Sequence, residues 1–224
     1  MSRETFLARV AAAAASGRAY RVHPKTVPAD AGYLGAGDDH VARFAEEVAA
    51  VGGIPHVADN RDSARACLGQ LLDEIAPGTA FCWRHAALDR LDLDELLSAR
   101  GVERIDHATL APLNEERRRA AMLAAGVGIT GVAWAVAETG SIALASSPGT
   151  ERLASLLPPV AIAVVERGQL LPDLFDLFAR YEPSGGEQLP SNLALVTGPS
   201  KTGDIELRLT TGVHGPGVWH VLVW

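Results

Sequence analysis

At 224 residues, with 48% hydrophobic side chains, 22 glycines and 13 prolines and a mean hydropathy of +0.11, the chain has material for one sizeable core, which excludes a disordered chain. A formal charge of −7 excludes nucleic acid as the main partner, because phosphate binding requires a basic surface. No apolar run approaches the ~20 residues of a membrane span and no signal-peptide pattern opens the sequence; with two isolated cysteines, Cys67 and Cys82, the expectation is a cytoplasmic protein with free thiols.

In chain order, residues 2–16 predict a helix, with Ser2 as its N-cap, Phe6, Val10 and the alanines on one side, and Gly17 as its stop. Residues 18–37, interrupted by Pro24 and Pro28, predict an extended arm of the kind that packs on another subunit, so a homo-oligomer is one expectation. This sets a boundary between a helix and arm (1–37) and an α/β domain (38–224). Asp38-Asp39 start a helix through Ala50, with Val41, Phe44, Val48 and Val51 at helical spacing. Gly52-Gly53 end it, and residues 54–58 predict a short strand. The rhythm repeats: helix 62–75, turn Pro77-Gly78, strand 79–83, helix 93–100, strand 102–105, helix 114–125 capped by Asn114, then a break at 126–128. The basic run Arg117-Arg118-Arg119 follows Glu115 and Glu116 and reads as a solvated helix face. Helices alternating with short apolar strands predict a layered α/β/α fold with a mostly parallel central sheet.

The second half changes character. Residues 131–137 and 141–146 are small-residue strands, and Glu138-Thr139-Gly140 between them suits a tight antiparallel hairpin. A short helix is expected at 151–157, ended by Pro158-Pro159, then a buried strand at 160–165. A helix at 170–181 carries Pro172 near its start, and a loop covers 183–188. Residues 193–196 (L-A-L-V) predict a buried strand, closed by the turn Gly198-Pro199. A second glycine-rich turn, 212–217, precedes the closing strand 218–224.

Chemistry concentrates at these turns. Ser200, Lys201 and Thr202 offer two hydroxyls and an ammonium after a strand, a set suited to holding an anion. Lys201 precedes Gly203 instead of following a glycine, so this is no phosphate-binding loop of the G-x-x-x-x-G-K-[ST] kind. The competing reading has Ser200 and Thr202 capping a following helix, with Asp204 and Glu206 in its first turn. Glu138 is either an exposed hairpin tip or a positioned general base, with Thr139 and Ser141 as neighbouring donors. His214, between glycines, is either a hydrogen-bonded structural residue or an acid–base group. His220 alternates with valines in the last strand as a core or edge partner. His23, His40, His56, His85 and His107 share no ligand spacing, so no metal site is expected, and no G-x-G-x-x-G follows a strand.

Four motifs taken together resemble the LUD domain family, of the lactate utilisation protein C type. They are A-E-T-G-S-I at 137–142, L-L-P-P-V at 156–160, T-G-P-S-K-T-G-D-I-E at 197–206 and G-V-H-G-P at 212–216. The resemblance covers the C-terminal half in motifs and the N-terminal half only in length and layout. It implies the α/β fold group of ribose-5-phosphate isomerase, glucosamine-phosphate deaminase and CoA transferases. It also implies a subunit of an L-lactate to pyruvate oxidation system acting with iron–sulfur partner proteins. Two isolated cysteines cannot hold a four-cysteine cluster, so the clusters are expected on the partners and no cofactor on this chain. Under this reading Lys201 meets a small carboxylate, with Glu138 or His214 as base. Two alternatives stay open: a stand-alone isomerase or transferase on a phosphorylated sugar or acyl substrate, and a non-catalytic binding module.

Overall fold

In the computed structural model, which describes residues 2–17, 35–181, 190–205 and 208–224, the chain divides into two units, Met1–Leu34 and Gly35–Trp224. The first contains helix α1 (Arg3–Gly17). Ser2 caps it as expected, its Oγ accepting from the Thr5 N–H at 3.2 Å. The arm expected at 18–37 lies outside the described residues except for residues 35–37, as does the whole of the 183–188 loop.

The second unit starts at α2 (His40–Ala50), whose first N–H groups are met by the Asp39 carboxylate while Phe44 and Val48 turn into the core. After β1 (Ile54–Val57), Asn60 and Ser63 form a reciprocal cap on α3 (Arg61–Ile75). Then follow β2 (Thr79–Cys82), the short helices α4 (Ala86–Arg90) and α5 (Leu93–Ser98), β3 (Glu103–Ile105), α6 (His107–Leu110) and α7 (Glu115–Ala124), capped by Asn114. Residues 126–128, expected only as a break, lead straight into β4 (Val127–Thr130), buried along its whole length. The hairpin of β5 (Trp134–Val136) and β6 (Ser141–Ser146) is antiparallel as its short turn predicts. A 3₁₀ turn (Arg152–Ser155) stands where a short helix was expected.

Beyond β7 (Val160–Val165), the helix expected at 170–181 is divided. Leu170–Leu171 form β8 because the residue before Pro172 is pushed out of the helical region. The helix α8 (Leu174–Ala179) starts only after Asp173 caps it. Next are β9 (Asn192–Val196), β10 (Lys201–Ile205), β11 (Arg208–Thr211) and β12 (Val218–Val223). The helix considered after Ser200 does not form: Lys201 and Thr202 pair with Thr211 and Thr210 across the β10–β11 hairpin.

Six strands, in the order β1-β12-β7-β4-β2-β3, form one wholly parallel sheet flanked by helices, which is the expected fold class. Its inner strands β2, β4, β7 and β12 are mainly apolar and buried because both faces are covered. The hairpin instead belongs to a second, four-stranded sheet, β8-β5-β6-β9. There β9 is an edge strand, so Leu195, expected to be buried, is 42% exposed. Among the described residues no helix is long and apolar enough to cross a membrane.

Pairing of β1 with β12 places His56 Nε2 3.1 Å from His220 Nδ1. Burial pushes both imidazoles below the ordinary histidine range; at His220 the adjacent His56 adds to this, while Glu74 opposes it at both. Burial lowers His85 as well. A histidine with a lowered folded pKa binds fewer protons folded than unfolded, so its stability contribution is present above about 6.5 and is lost as pH falls toward the folded value. Thermal midpoints are therefore expected to drop between pH 8 and pH 5.5. The His56→Phe/His220→Phe double variant should flatten that slope; an unchanged slope would detach it from this pair.

Candidate functional site

The two sheets enclose a cavity of about 150 Å³. On the parallel sheet its wall is Thr130 at the end of β4, Ala161 and Ala163 on β7, and Trp219 on β12. The alternation V-A-I-A-V-V makes the space, because both alanines of β7 point to one face while bulky neighbours fill the other. The facing wall is Ile142 and Leu144 of β6 with Val196 of β9. Polar groups enter at Thr130, which is 2% exposed, and at the rim through Ser155, Ser200 and His214.

The rim is two turns fastened together. The Ser200 N–H donates to Pro216 O at 2.9 Å, Gly212 N–H to Ser200 O at 3.0 Å, and Gly217 N–H to Pro159 O at 2.9 Å. Gly198 adopts φ 100°, and a Cβ there would stand 2.9 Å from the Val51 carbonyl oxygen. Only glycine satisfies both the left-handed backbone and that approach. Turn 212–217 leads into β12, so the rim includes the amino end of that strand. Ligands of open α/β sheets usually sit beyond the carboxyl ends; here the second sheet supplies the facing wall.

The structure brings Ser200 and His214 to this cavity and distributes the other residues singled out in the sequence. Thr139, Ser141 and Thr197 form a hydroxyl chain, with 2.7 Å between Thr139 Oγ1 and Ser141 Oγ and 2.7 Å on to Thr197 Oγ1. Thr197 adjoins Gly198 of the rim. Glu138 is half-buried in the β5–β6 turn, its N–H donating to Pro172 O at 3.0 Å. Lys201 Nζ donates to the Val51 carbonyl, placing its ammonium at the negative end of the α2 dipole. Thr202 lies within β10. Glu138, Lys201 and Thr202 do not line the cavity. Sequence reasoning missed Thr130, Ser155 and Trp219; the Ala-x-Ala alternation in 160–165 was the one available sign of a space beside β7.

Among the described residues no group of three or more His, Cys, Asp or Glu is placed to hold a metal ion. Burial pushes the Cys82 thiol up to about 12, far from a reactive thiolate.

Residues 41–224 match the family model of the LUD domain. Lactate utilization protein C of Halalkalibacterium halodurans is 31% identical over 157 residues, 69% of this chain and 66% of the relative. The protein of the same name from Bacillus subtilis is 39% identical over 94 residues, 41% of this chain and 39% of the relative. The match thus spans about two thirds of the first relative's length and two fifths of the second's. A crystal structure of a DUF162 family protein from Deinococcus radiodurans superposes with a TM-score of 0.57 at 21% identity, covering 82% of this chain and 95% of that one; at that identity it supports the fold alone. With the family model spanning both sheets and the cavity between them, the chain belongs to the LUD domain family.

Proposed function

We propose that this chain is the acid-binding component of a lactate-utilisation system and that the cavity between the sheets takes lactate or pyruvate. The observation that carries the reading is the cavity itself. At about 150 Å³ it equals roughly five waters of liquid volume, room for a molecule of lactate's size. Its apolar wall suits the methyl group, and Ser200, Ser155, Thr130 and His214 suit the carboxylate and the 2-oxygen. The relatives' name, lactate utilization protein C, points to the same substrate class. Glu138, Thr139, Ser141, Lys201 and Thr202 stand outside the cavity wall, so Ser200 and His214 carry the assignment.

Oxidation of lactate to pyruvate releases two electrons and two protons. His214 is the group at the rim that can accept the hydroxyl proton. The two electrons and the second proton, which come from the broken C2–H bond, require an acceptor system, which we place on iron–sulfur partner proteins, since the two separate cysteines of this chain cannot ligate a cluster.

The test is thermal shift and calorimetry with lactate, pyruvate, ribose 5-phosphate and CoA. Lactate or pyruvate at a hundredfold excess over Kd should add about 2.7 kcal/mol of stability, and Ser200→Val should weaken binding about tenfold. A response to ribose 5-phosphate or CoA alone would replace this reading by a stand-alone isomerase or transferase. Co-purification of a brown protein with the tagged chain would support the iron–sulfur partners.

A further inference from the structure

A second cleft, of about 340 Å³, lies among β2, α6, α7 and the 3₁₀ turn. Phe81, Leu110, Met122 and Leu153 give it an apolar lining, and three polar side chains, His107, Glu151 and Arg118, share its wall. A mostly apolar concavity with a few convergent polar groups is the usual form of a small-molecule site.

The polar groups are held in place. His107 Nδ1 stands 2.6 Å from Glu151 Oε1, and the same oxygen accepts from the Gly149 N–H at 2.8 Å. The main-chain oxygen of Glu151 accepts from Trp83 Nε1 at 2.9 Å. This pairing fixes the ring by its Nδ1 and leaves Nε2 for another partner. With Nδ1 held by the carboxylate, Nε2 of the half-exposed ring is an acceptor that a donor brought by a ligand can meet. Arg118 is anchored through Nε and Nη2 to the carbonyls of Leu110, Ala111 and Leu113. Its charge is not neutralised by those carbonyls, and Arg117 and Arg119 flank it. The cleft thus combines an apolar floor, an anchored cation and an acceptor pair.

We propose that this cleft binds an apolar carboxylic acid carrying a hydroxyl or amine donor beside its carboxylate. The carboxylate meets Arg118, the donor meets the His107–Glu151 pair, and the apolar body lies on Phe81, Leu110, Met122 and Leu153. The site is separate from the cavity between the sheets and stands or falls independently of the lactate reading.

The experiment is calorimetric titration of the full chain with L-3-phenyllactate, and with 3-phenylpropionate, which lacks the donor. The expected result is saturable one-to-one binding of phenyllactate that excess lactate does not displace. Phenylpropionate should bind about tenfold more weakly, and Arg118→Met should weaken phenyllactate by a similar factor. Leu153→Trp, which fills the cleft from a position 41% exposed, should abolish binding without disturbing the core. No saturable heat, displacement by lactate, or affinities that both variants leave within twofold would overturn the proposal.

Discussion

Replacing Asp106 by alanine is expected to destabilise the protein by about 3 kcal/mol or more, the range for removing one partner of a buried ion pair. Asp106 is wholly buried. One carboxylate oxygen accepts from the Thr109 N–H at 3.0 Å, and Thr109 Oγ1 accepts from the Asp106 N–H at 2.8 Å, closing the cap on α6. The other oxygen pairs with Arg84 Nη2 at 2.6 Å and Arg104 Nε at 3.3 Å. Arg104, 11% exposed at its side chain, would keep Asp94 as its remaining anionic partner. The variant therefore combines a lost cap, about 1 kcal/mol, with a guanidinium left largely buried. Asp106→Asn keeps the capping oxygen and should fall between the two. Urea unfolding measures both, and a loss below about 1 kcal/mol in the alanine variant would mean that water replaces the carboxylate.

Acid makes the same point with a defined sign. Burial pushes the Asp106 carboxyl up, but the Thr109 N–H and the guanidinium groups of Arg84 and Arg104 outweigh it and hold it below the ordinary range. A depressed folded pKa contributes stability that is complete above the unfolded value near 3.9 and is lost as pH falls through the folded value. The acid limb of the wild-type stability profile below about pH 4 should therefore be steeper than that of Asp106→Asn.

What the sequence made legible is what local chemistry determines. Asp39 and Asn114 announced α2 and α7 because a side-chain oxygen before a helical pattern meets the first free N–H groups. The 160–165 and 218–224 runs announced β7 and β12 because a strand covered on both faces contains little polar side-chain surface. The three-residue turn at 138–140 announced a hairpin. It could not announce that this hairpin would leave the parallel sheet and join β8 and β9 in a second one, since that depends on which distant strands pair. The same limit governs the site. Ser200 and His214 reach one cavity because β12, last in the chain, inserts between β1 and β7 and draws turn 212–217 against residues 198–200. Lys201 illustrates the converse: its setting in sequence suits an anion, yet its ammonium closes the end of a helix 150 residues away. His56 and His220, 164 residues apart, looked unrelated for the same reason. Glycine misled most at β4, where residues 126–128 looked like a helix stop and are largely the entry to a central strand.

That glycine-containing strand carries the other large effect: Gly128→Ala should lose about 3 kcal/mol or more, at the upper end of overpacking penalties. A Cβ built on Gly128 would stand 1.9 Å from the Ala154 carbonyl oxygen and 3.1 Å from its carbon. The obstacle is backbone, so no rotamer change relieves it. The strand cannot retreat, because Gly128 is in register with Ala161 of β7 and Phe81 of β2. The 3₁₀ turn is also held, at its start, by the bonds that Glu151 makes with Trp83, Gly149 and His107. Relief therefore requires breaking either the ladder or that anchorage. Gly78→Ala is the matched control, since a Cβ there meets nothing within 4 Å and should change stability by about 0.5 kcal/mol or less. Because Ser155 and Leu156 leave this same turn to form part of the cavity rim, Gly128→Ala should also weaken any ligand held between the sheets. Unfolding free energies from urea titration within about 1 kcal/mol of each other for the two variants would show that the turn yields and that it does not fix the rim.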